Sequence, residues 1–396
     1  QNKVLIIDGN PHAVYQINLS SPVDRLWSWE IVVDASSGFV HRSVSRAYFY
    51  GPDKDSRVAN LKVFDPNPTL KLGGRYGKTN GFKDNDNQNN AFFEQALTSA
   101  QSEVDFHNGT YSLQNRYVQI TDLQKPSNPN CSNSTGVFDF NRSDACFDSV
   151  NAFYFVTKSL QYLNETLGIK AAPLRYLGGV KVDPQGLDGD DNSYYDSDED
   201  TLVYGTGGVD DAQDHDVILH ELGHAIHQWI THGHMSRVEG LSEGIGDYWA
   251  ASYSRSWMKP DHPAYSWVYS FDGHNEYWPG RMVNTAGTYP DAAQNEMHDS
   301  GSLWASTCME IYEAIGRRKM DRIFWSGISM LNERSNQLDA ANALMLAAQE
   351  LYGDEPDTLR LIRQKFILRG YTVPEIRKWR SLRLRPEPCR AGGLCV

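Results

Sequence analysis

Residues 215–229 read HDVILHELGHAIHQW, which sets His220 and His224 four apart with Glu221 between them. On a helix, positions i and i+4 share a face about one turn apart, so the two imidazoles can meet a single ion. Neutral imidazoles suit zinc. Glu221 is rotated about 100° from His220, beside such an ion but outside its ligands. A carboxylate placed there can take a proton from a water whose pKa the metal has lowered. An amphipathic helix that merely turns histidines toward a polar groove would show the same letters. Chance produces this spacing only on the order of a few hundredths of the time in a chain of this composition, so a metal is the better reading.

A catalytic zinc takes three protein ligands and keeps one position open. The next helical stretch, EGLSEGIGDYWA, supplies Glu243, with 18 residues between it and His224. That is enough chain for a turn and an antiparallel return. Asp247 lies one turn beyond Glu243, placed to accept the second N–H of a ligand histidine and so raise its basicity. Gly240, Ser242, Gly244 and Gly246 are poor helix formers. They make sense if this helix packs closely against another. His227 could share the face of His220, but a fourth ligand would close the site, so packing or surface is its expected role. His232 and His234 fall in the turn between the two ligand helices, within reach of a substrate.

The elements that must position these residues change character along the chain. The first half is β-rich: KVLIID, AVYQINL, LWSWEIVVDASSGFVHRSVSRAYFYG and RVANLKVF carry β-branched and aromatic runs broken by Asp, Gly and Ser turns. Residues 70–90 read as a glycine-rich polar loop. Helices are expected over NAFFEQALTSAQSEV, residues 90–104, and over residues 149–168, where Gly168 supplies the stop. Beyond residue 212, helical periodicity recurs in 214–231, 239–256, 299–317, 320–332, 337–352 and 356–369, and Pro374 can open one more short helix. The fold class is α+β, with two lobes joined near residues 225–235. Expected boundaries are 1–45 for a β-rich segment, 46–232 for a β-rich catalytic lobe ending in the HExxH helix, and 233–396 for a helical lobe.

Fifty acids against 37 bases give a net charge of −13. That argues against nucleic acid as a partner, which demands a basic face. It suits an exported monomer. No apolar run is long enough to span a bilayer, so no membrane is expected. The sequence starts at Gln1 rather than Met, as expected of a processed product, and no leader is expected within it. Of the five cysteines, Cys131 and Cys146 flank a polar loop and Cys389 and Cys395 close a short tail, so each pair can form a local disulfide. Cys308 sits in an apolar stretch and reads as a buried thiol. Sequons at Asn18, Asn108, Asn130, Asn133, Asn141 and Asn164 are compatible with glycosylation. Together these features point to an oxidising, extracellular setting.

HELGHAIH followed by SEGIGDYWA resembles the thermolysin-like and fungalysin-like zinc metallopeptidases of the gluzincin clan. VNAFYFVTKSLQYLNETLG, DNSYYDSDEDTLVYGTGG and MHDSGSLWASTCMEIYEAIG are similar, in the same order, to their long helix, their edge strand and the helix that carries a second catalytic histidine. The resemblance spans roughly residues 45–370. It implies a two-lobed fold with the zinc site in a cleft between a β-rich and a helical lobe. It implies a secreted zinc endopeptidase acting on proteins or peptides, with His220, His224 and Glu243 as ligands and Glu221 as general base. His298 would stabilise the oxyanion, Arg281 would contact a substrate carbonyl, and Asn192, Ser193 and Tyr194 would bind an extended substrate along the sheet edge. Asp247 would orient a ligand histidine.

The chain departs from that pattern in several places. The 18-residue gap is that of zinc aminopeptidases, although their G-x-M-E-N element for a free amine is missing. The tyrosine that thermolysin sets before its Glu ligand has no counterpart; His234 is in about that place. Residues 1–45 resemble the last strands of this clan's propeptide, which implies either a remnant of an inhibitory propeptide, as in a zymogen, or a β unit kept in the mature enzyme. Asp216 matches a calcium ligand of thermolysin, and the acidic loop 183–200 also suits calcium. Two rival readings are a zinc aminopeptidase, which would release single residues, and a non-catalytic protein on a peptidase fold, which would show no zinc-dependent turnover.

Overall fold

The computed structural model describes residues 2–7, 10–20, 28–38, 40–45 and 55–375. The expected Cys389–Cys395 bridge and the helix after Pro374 lie outside these residues. The N-terminal strands β1 (Asn2–Ile7), β2 (Asn10–Ser20), β3 (Ser28–Asp34) and β4 (Val40–Ser45) form an antiparallel meander of their own. A second sheet follows, built on β5 (Ser56–Val63). Short helices α1 (Pro68–Leu72) and α2 (Ala91–Ala96) lead from it to β6 (Thr98–His107) and β7 (Thr110–Ser112). With β9 (Val137–Phe138) the order is β7-β6-β5-β9.

The third sheet matters most for the site. Its order is β11-β12-β10-β8, from β8 (Val118–Ile120), β10 (Val180–Asp183), β11 (Ser193–Asp196) and β12 (Thr201–Tyr204). β11 runs antiparallel to β12 in the register Ser193↔Tyr204 to Asp196↔Thr201 and forms the edge. A polar sequence with exposed backbone on one side is therefore presented where an extended chain could add to the sheet.

The expected helix over residues 90–104 is mostly strand. Only α2 is helical, and β6 replaces the rest. The residues SAQSEVDFH alternate, and pairing with β5 sets Ala100 opposite Leu61 and Val104 opposite Arg57. Val104 is fully buried as a result. Cross-strand packing overrides local helix propensity here. The loop at 70–90 also holds the end of α1 and a 3₁₀ turn at Lys78–Asn80.

Helix α3 (Cys146–Gln161) extends through a π turn at Tyr162–Thr166 and stops at Gly168, whose φ of 73° suits glycine. The Cys131–Cys146 bridge pins its start, and Cys308 is buried and free. Helix α4 (His215–Ile230) is buried on almost every side, with Val217, Ile218, Leu219, Leu222, Ala225, Ile226 and Trp229 in the core. A helix buried on nearly all sides belongs between layers. It packs against α3 on one side and α5 (Leu241–Arg255) on the other. The strands β13 (Trp267–Val268) and β14 (Arg281–Met282) form a small ribbon. Helices α6 (Met297–Ile315), α7 (Arg317–Ile328), α8 (Gln337–Tyr352) and α9 (Pro356–Leu368) complete the helical lobe. Local signals set their ends: Asn336 and Asp339 form a capping box on α8, and Pro356 opens α9. One apolar core runs from β5 and β6 through α3–α6 to α9, so the two lobes share it through α4. Among the described residues no helix is long and apolar enough to cross a membrane.

Asp65, buried just after β5, ties the strands to the helices. It accepts from Lys158 Nζ and Tyr154 Oη on α3, each at 2.6 Å, and from Tyr253 Oη on α5. Burial alone would raise its pKa, but the Lys158 charge and these donors hold it below the ordinary 3.8. Its contribution to stability is therefore present above that value and is lost as pH falls through the folded pKa. Asp65→Asn is expected to cost about 2 kcal/mol at pH 7 in urea unfolding, with wild type and variant converging on acidification.

Candidate metal centre and catalytic cleft

The ligand helices approach each other through glycine. A Cβ placed on Gly223 of α4 would lie 2.8 Å from Cα of Gly246 on α5, and one on Gly246 would lie 2.5 Å from His220 Nδ1. On the other face of α5, a Cβ on Gly244 would lie 2.4 Å from the Gly301 carbonyl of α6. Real Cβ contacts do not come so close, so these positions admit only hydrogen at these helix spacings. The turn into α5 has the same origin. Glu239 and Gly240 take left-handed φ values of 53° and 64°, and a Cβ on Gly240 would strike the Met297 carbonyl. The small residues of EGLSEGIG thus explain why α5 can lie between α4 and α6.

That packing brings His220, His224 and Glu243 together, with one possible ligand atom from each lying within 4.8 Å of the others. His220 Nδ1 is 3.0 Å from Asp247 Oδ1, and His224 Nδ1 is 2.8 Å from Ser242 Oγ. In the tautomer with the proton on Nδ1, both Nε2 atoms turn lone pairs toward one point, and they are 3.1 Å apart. Glu243 oxygens lie 3.4 Å from His220 Nε2 and 3.6 Å from His224 Nε2. Tetrahedral zinc with bonds of about 2.0–2.1 Å separates its ligand atoms by roughly 3.3 Å, so this donor set fits zinc.

Burial and neighbouring charge set the two rings apart. Burial pushes the His224 pKa down to about 3, which keeps the ring neutral. Burial also works against a charged His220, but Asp247 and Glu243 outweigh it and bring this ring to about 9, the more basic of the two. Glu243 is buried, yet its histidine neighbours and Arg281 hold it far below the usual carboxylate range. Arg281 bridges Asp247 at 3.0 Å and Glu243 at 3.4 Å, and its Nη2 donates to Tyr269 Oη at 2.6 Å.

Beside the cluster opens a cleft of about 540 Å³. Glu221 lines it. Burial pushes its pKa up to about 7, with the Glu243 charge raising it further against His220, Arg281 and a hydrogen bond from the Tyr195 backbone. A carboxyl poised near neutrality suits proton transfer in both directions. His298, the second residue of α6, is half-exposed on the same wall. Its Nε2 lies 3.4 Å from Glu243 Oε2, while Glu296 holds its Nδ1 at 2.8 Å. Asn192 and Ser193, at the start of the β11 edge, and Arg281 complete the sequence-derived residues on the cleft.

Two expected substrate residues stand elsewhere. His234 pairs with Glu333 at 2.9 Å and is not among the cleft-lining residues. Tyr194 alternates away from its neighbour Ser193, as a strand requires, and its Oη accepts from Gln124 at 2.6 Å. His227 is fully buried with its pKa lowered to about 3 by burial, in the packing role expected of it. Sequence reasoning missed Tyr269, Trp278, Asp211 and Asp272 on the cleft wall. Tyr269 has a φ of 62°, unusual for an aromatic residue, and no local motif marks it. In the acidic loop 183–200, Asp183 accepts from the Leu123 and Gln124 backbones and Asp200 from Tyr195 and Trp229. These carboxylates serve hydrogen bonds, and among the described residues the loop alone gathers no three-ligand group.

Residues 93–228 match the family model described as thermolysin metallopeptidase, catalytic domain. The matched stretch runs from α2 through His220, Glu221 and His224. No curated protein matches the chain. Among solved structures it is similar to the precursor of protealysin, a metalloproteinase from Serratia proteamaculans, at 12% identity and a TM-score of 0.46, over 64% of this chain and 87% of that one. The chain has a mixed α+β, two-lobed architecture.

Two substitutions probe the packing and hydrogen bonding around the cluster. Gly246→Ala sets a methyl against the His220 ring and is expected to lower zinc affinity by at least about tenfold, read by competition with a chromogenic chelator. Asp247→Asn removes the carboxylate behind His220 and is expected to cost about 10–100-fold in the same assay. Unchanged affinity in both would contradict the positioning described here.

Proposed function

We propose that the chain is an extracellular zinc endopeptidase in which His220, His224 and Glu243 hold the metal and Glu221 is the general base. The observation that carries this reading is the position of Glu221: a buried carboxyl on the wall of the cleft, next to the three groups that could hold a metal. A bound zinc would supply Lewis-acid polarisation of the scissile carbonyl and of an attacking water. Everything else falls to the protein. An extended peptide pairs with the free edge of β11, where Asn192 and Ser193 face the cleft. Glu221 takes a proton from water as it attacks and returns it to the leaving amine. His298 donates from Nε2 to the developing oxyanion, held in orientation by Glu296. Arg281 fixes Glu243, Asp247 and Tyr269 and offers a cation at the cleft wall.

The extracellular setting is supported by the Cys131–Cys146 disulfide. Residues 1–45 are proposed as a separate β unit of propeptide type, since β1–β4 form their own sheet. The aminopeptidase reading has one supporting observation, the 18-residue spacing between His224 and Glu243.

The test is hydrolysis of denatured casein by wild type and Glu221→Gln, with zinc quantified in both. Zinc near one per chain in both proteins is expected, together with a loss of about 10³-fold in the variant's rate. Equal rates would remove Glu221 as the base. Release of single residues instead of internal peptides would favour the aminopeptidase.

A further inference from the structure

One wall of the cleft carries charge that the proposed peptidase chemistry does not use. Asp191, Asp211 and Asp272 line the cleft together with Glu221, and one carboxylate oxygen from each lies within 4.8 Å of the others. Asp211 and Asp272 are more than nine-tenths buried. Ser193 Oγ donates to Asp211 Oδ2. Among the described residues the only bond to the Asp272 carboxylate is a long one, 3.4 Å from the Val209 backbone to Oδ1. Its Oδ2 has no partner among the described residues. Nor does any described Lys, Arg or His lie within ion-pairing distance of the three. Arg281, on the same cleft, is already held by Glu243, Asp247 and Tyr269.

Burial and mutual repulsion push the carboxyls of Asp211 and Asp272 well above their ordinary range, and burial also raises Asp191. Buried carboxylates are normally paired with a cation or saturated by donors. Here the missing partner must come from whatever enters the cleft. Asp191 is seated on the Gly207–Gly208 loop, where a Cβ on Gly207 would come within 2.6 Å of its side chain. Asp272 is fixed through its backbone, whose N–H donates to Asp214 Oδ2 at 3.1 Å. The acids are therefore held in place by the fold.

We propose that Asp191, Asp211 and Asp272 form a specificity pocket for a cationic nitrogen of the substrate, a Lys or Arg side chain next to the scissile bond. This rests on the peptidase reading above. Asn192 and Ser193 sit between the pocket and the β11 edge, so a peptide paired there delivers a neighbouring side chain to the acids. A guanidinium or ammonium entering the pocket makes charge-assisted bonds to Asp272 and Asp191 without disturbing the Ser193 bond to Asp211. An apolar side chain in the same place would leave the carboxylates desolvated and unpaired.

The experiment compares two blocked peptides that differ only in Lys against norleucine beside the cleaved bond. Wild type is expected to prefer the Lys peptide by about tenfold or more in kcat/KM, and the ratio should fall toward one in Asp272→Asn and Asp211→Asn. Asparagine is nearly isosteric, and zinc content per chain reports that the variants are folded. Calorimetry on Glu221→Gln gives a readout without turnover. Tighter binding of the Lys peptide there, lost in Glu221→Gln/Asp272→Asn, supports the pocket even if wild type cleaves neither peptide, a result that would remove only the peptidase reading. Equal affinity and equal turnover of the two peptides overturns the proposal. So does cleavage only of peptides with a free N-terminus, which would assign the pocket to the α-ammonium. Stoichiometric calcium binding abolished by Asp272→Asn would likewise overturn it, in favour of a cation site.

Discussion

The close approach of α5 to its two neighbours is the constraint from which the site follows. Helices whose contact residues carry side chains pack with axes about 8–10 Å apart. Here Gly223 meets Gly246 on one face of α5, while Gly244 meets Gly301 on the other. With bulkier residues at these positions, Glu243 would stand too far from His220 and His224 to share an ion with them. The same glycines set His298 at the start of α6, 3.4 Å from Glu243. Helix propensity has been sacrificed for proximity, since Gly costs about 1 kcal/mol relative to Ala in a helix interior.

Burying a chemical centre in this way concentrates charge, and the protein answers with a short chain of counter-charges. Asp247 backs His220, Arg281 backs both Asp247 and Glu243, and Tyr269 donates to or accepts from the groups at its end of that chain. Removal of any member leaves a buried partner uncompensated. Glu221 stands just outside this network, where burial dominates and holds its proton more tightly than in an ordinary carboxyl. The proposed ligand groups and the proposed base differ in charge state because their neighbours differ. On its far side, the aspartates near Asp272 lack such compensation, which marks that wall as facing something from outside.

Much of this was legible in the sequence. The i, i+4 histidines, the downstream Glu243 and the weak helix formers around it implied a close-packed pair of helices, and the periodic stretches after residue 212 fold as the helices they suggest. The parts that were not legible share a cause: they depend on contacts between distant segments. Residues 98–107 become a strand because β5 is there to pair with them. His234 was a candidate because of its place between the ligand helices, but the turn carries it to Glu333. Tyr269, Asp211 and Asp272 reach the cleft from loops with no periodicity to read. Tyr194 was grouped with Asn192 and Ser193, whereas strand alternation sends its side chain to Gln124.

The most direct test of the account is a zinc-edge anomalous diffraction map from crystals of the zinc-loaded protein. One strong peak is expected between His220 Nε2, His224 Nε2 and a Glu243 oxygen, with Glu221 close by and outside bonding distance. A peak at the other histidine-bearing cluster, Asp214, His215 and Asp216, with none between His220 and His224, would contradict it.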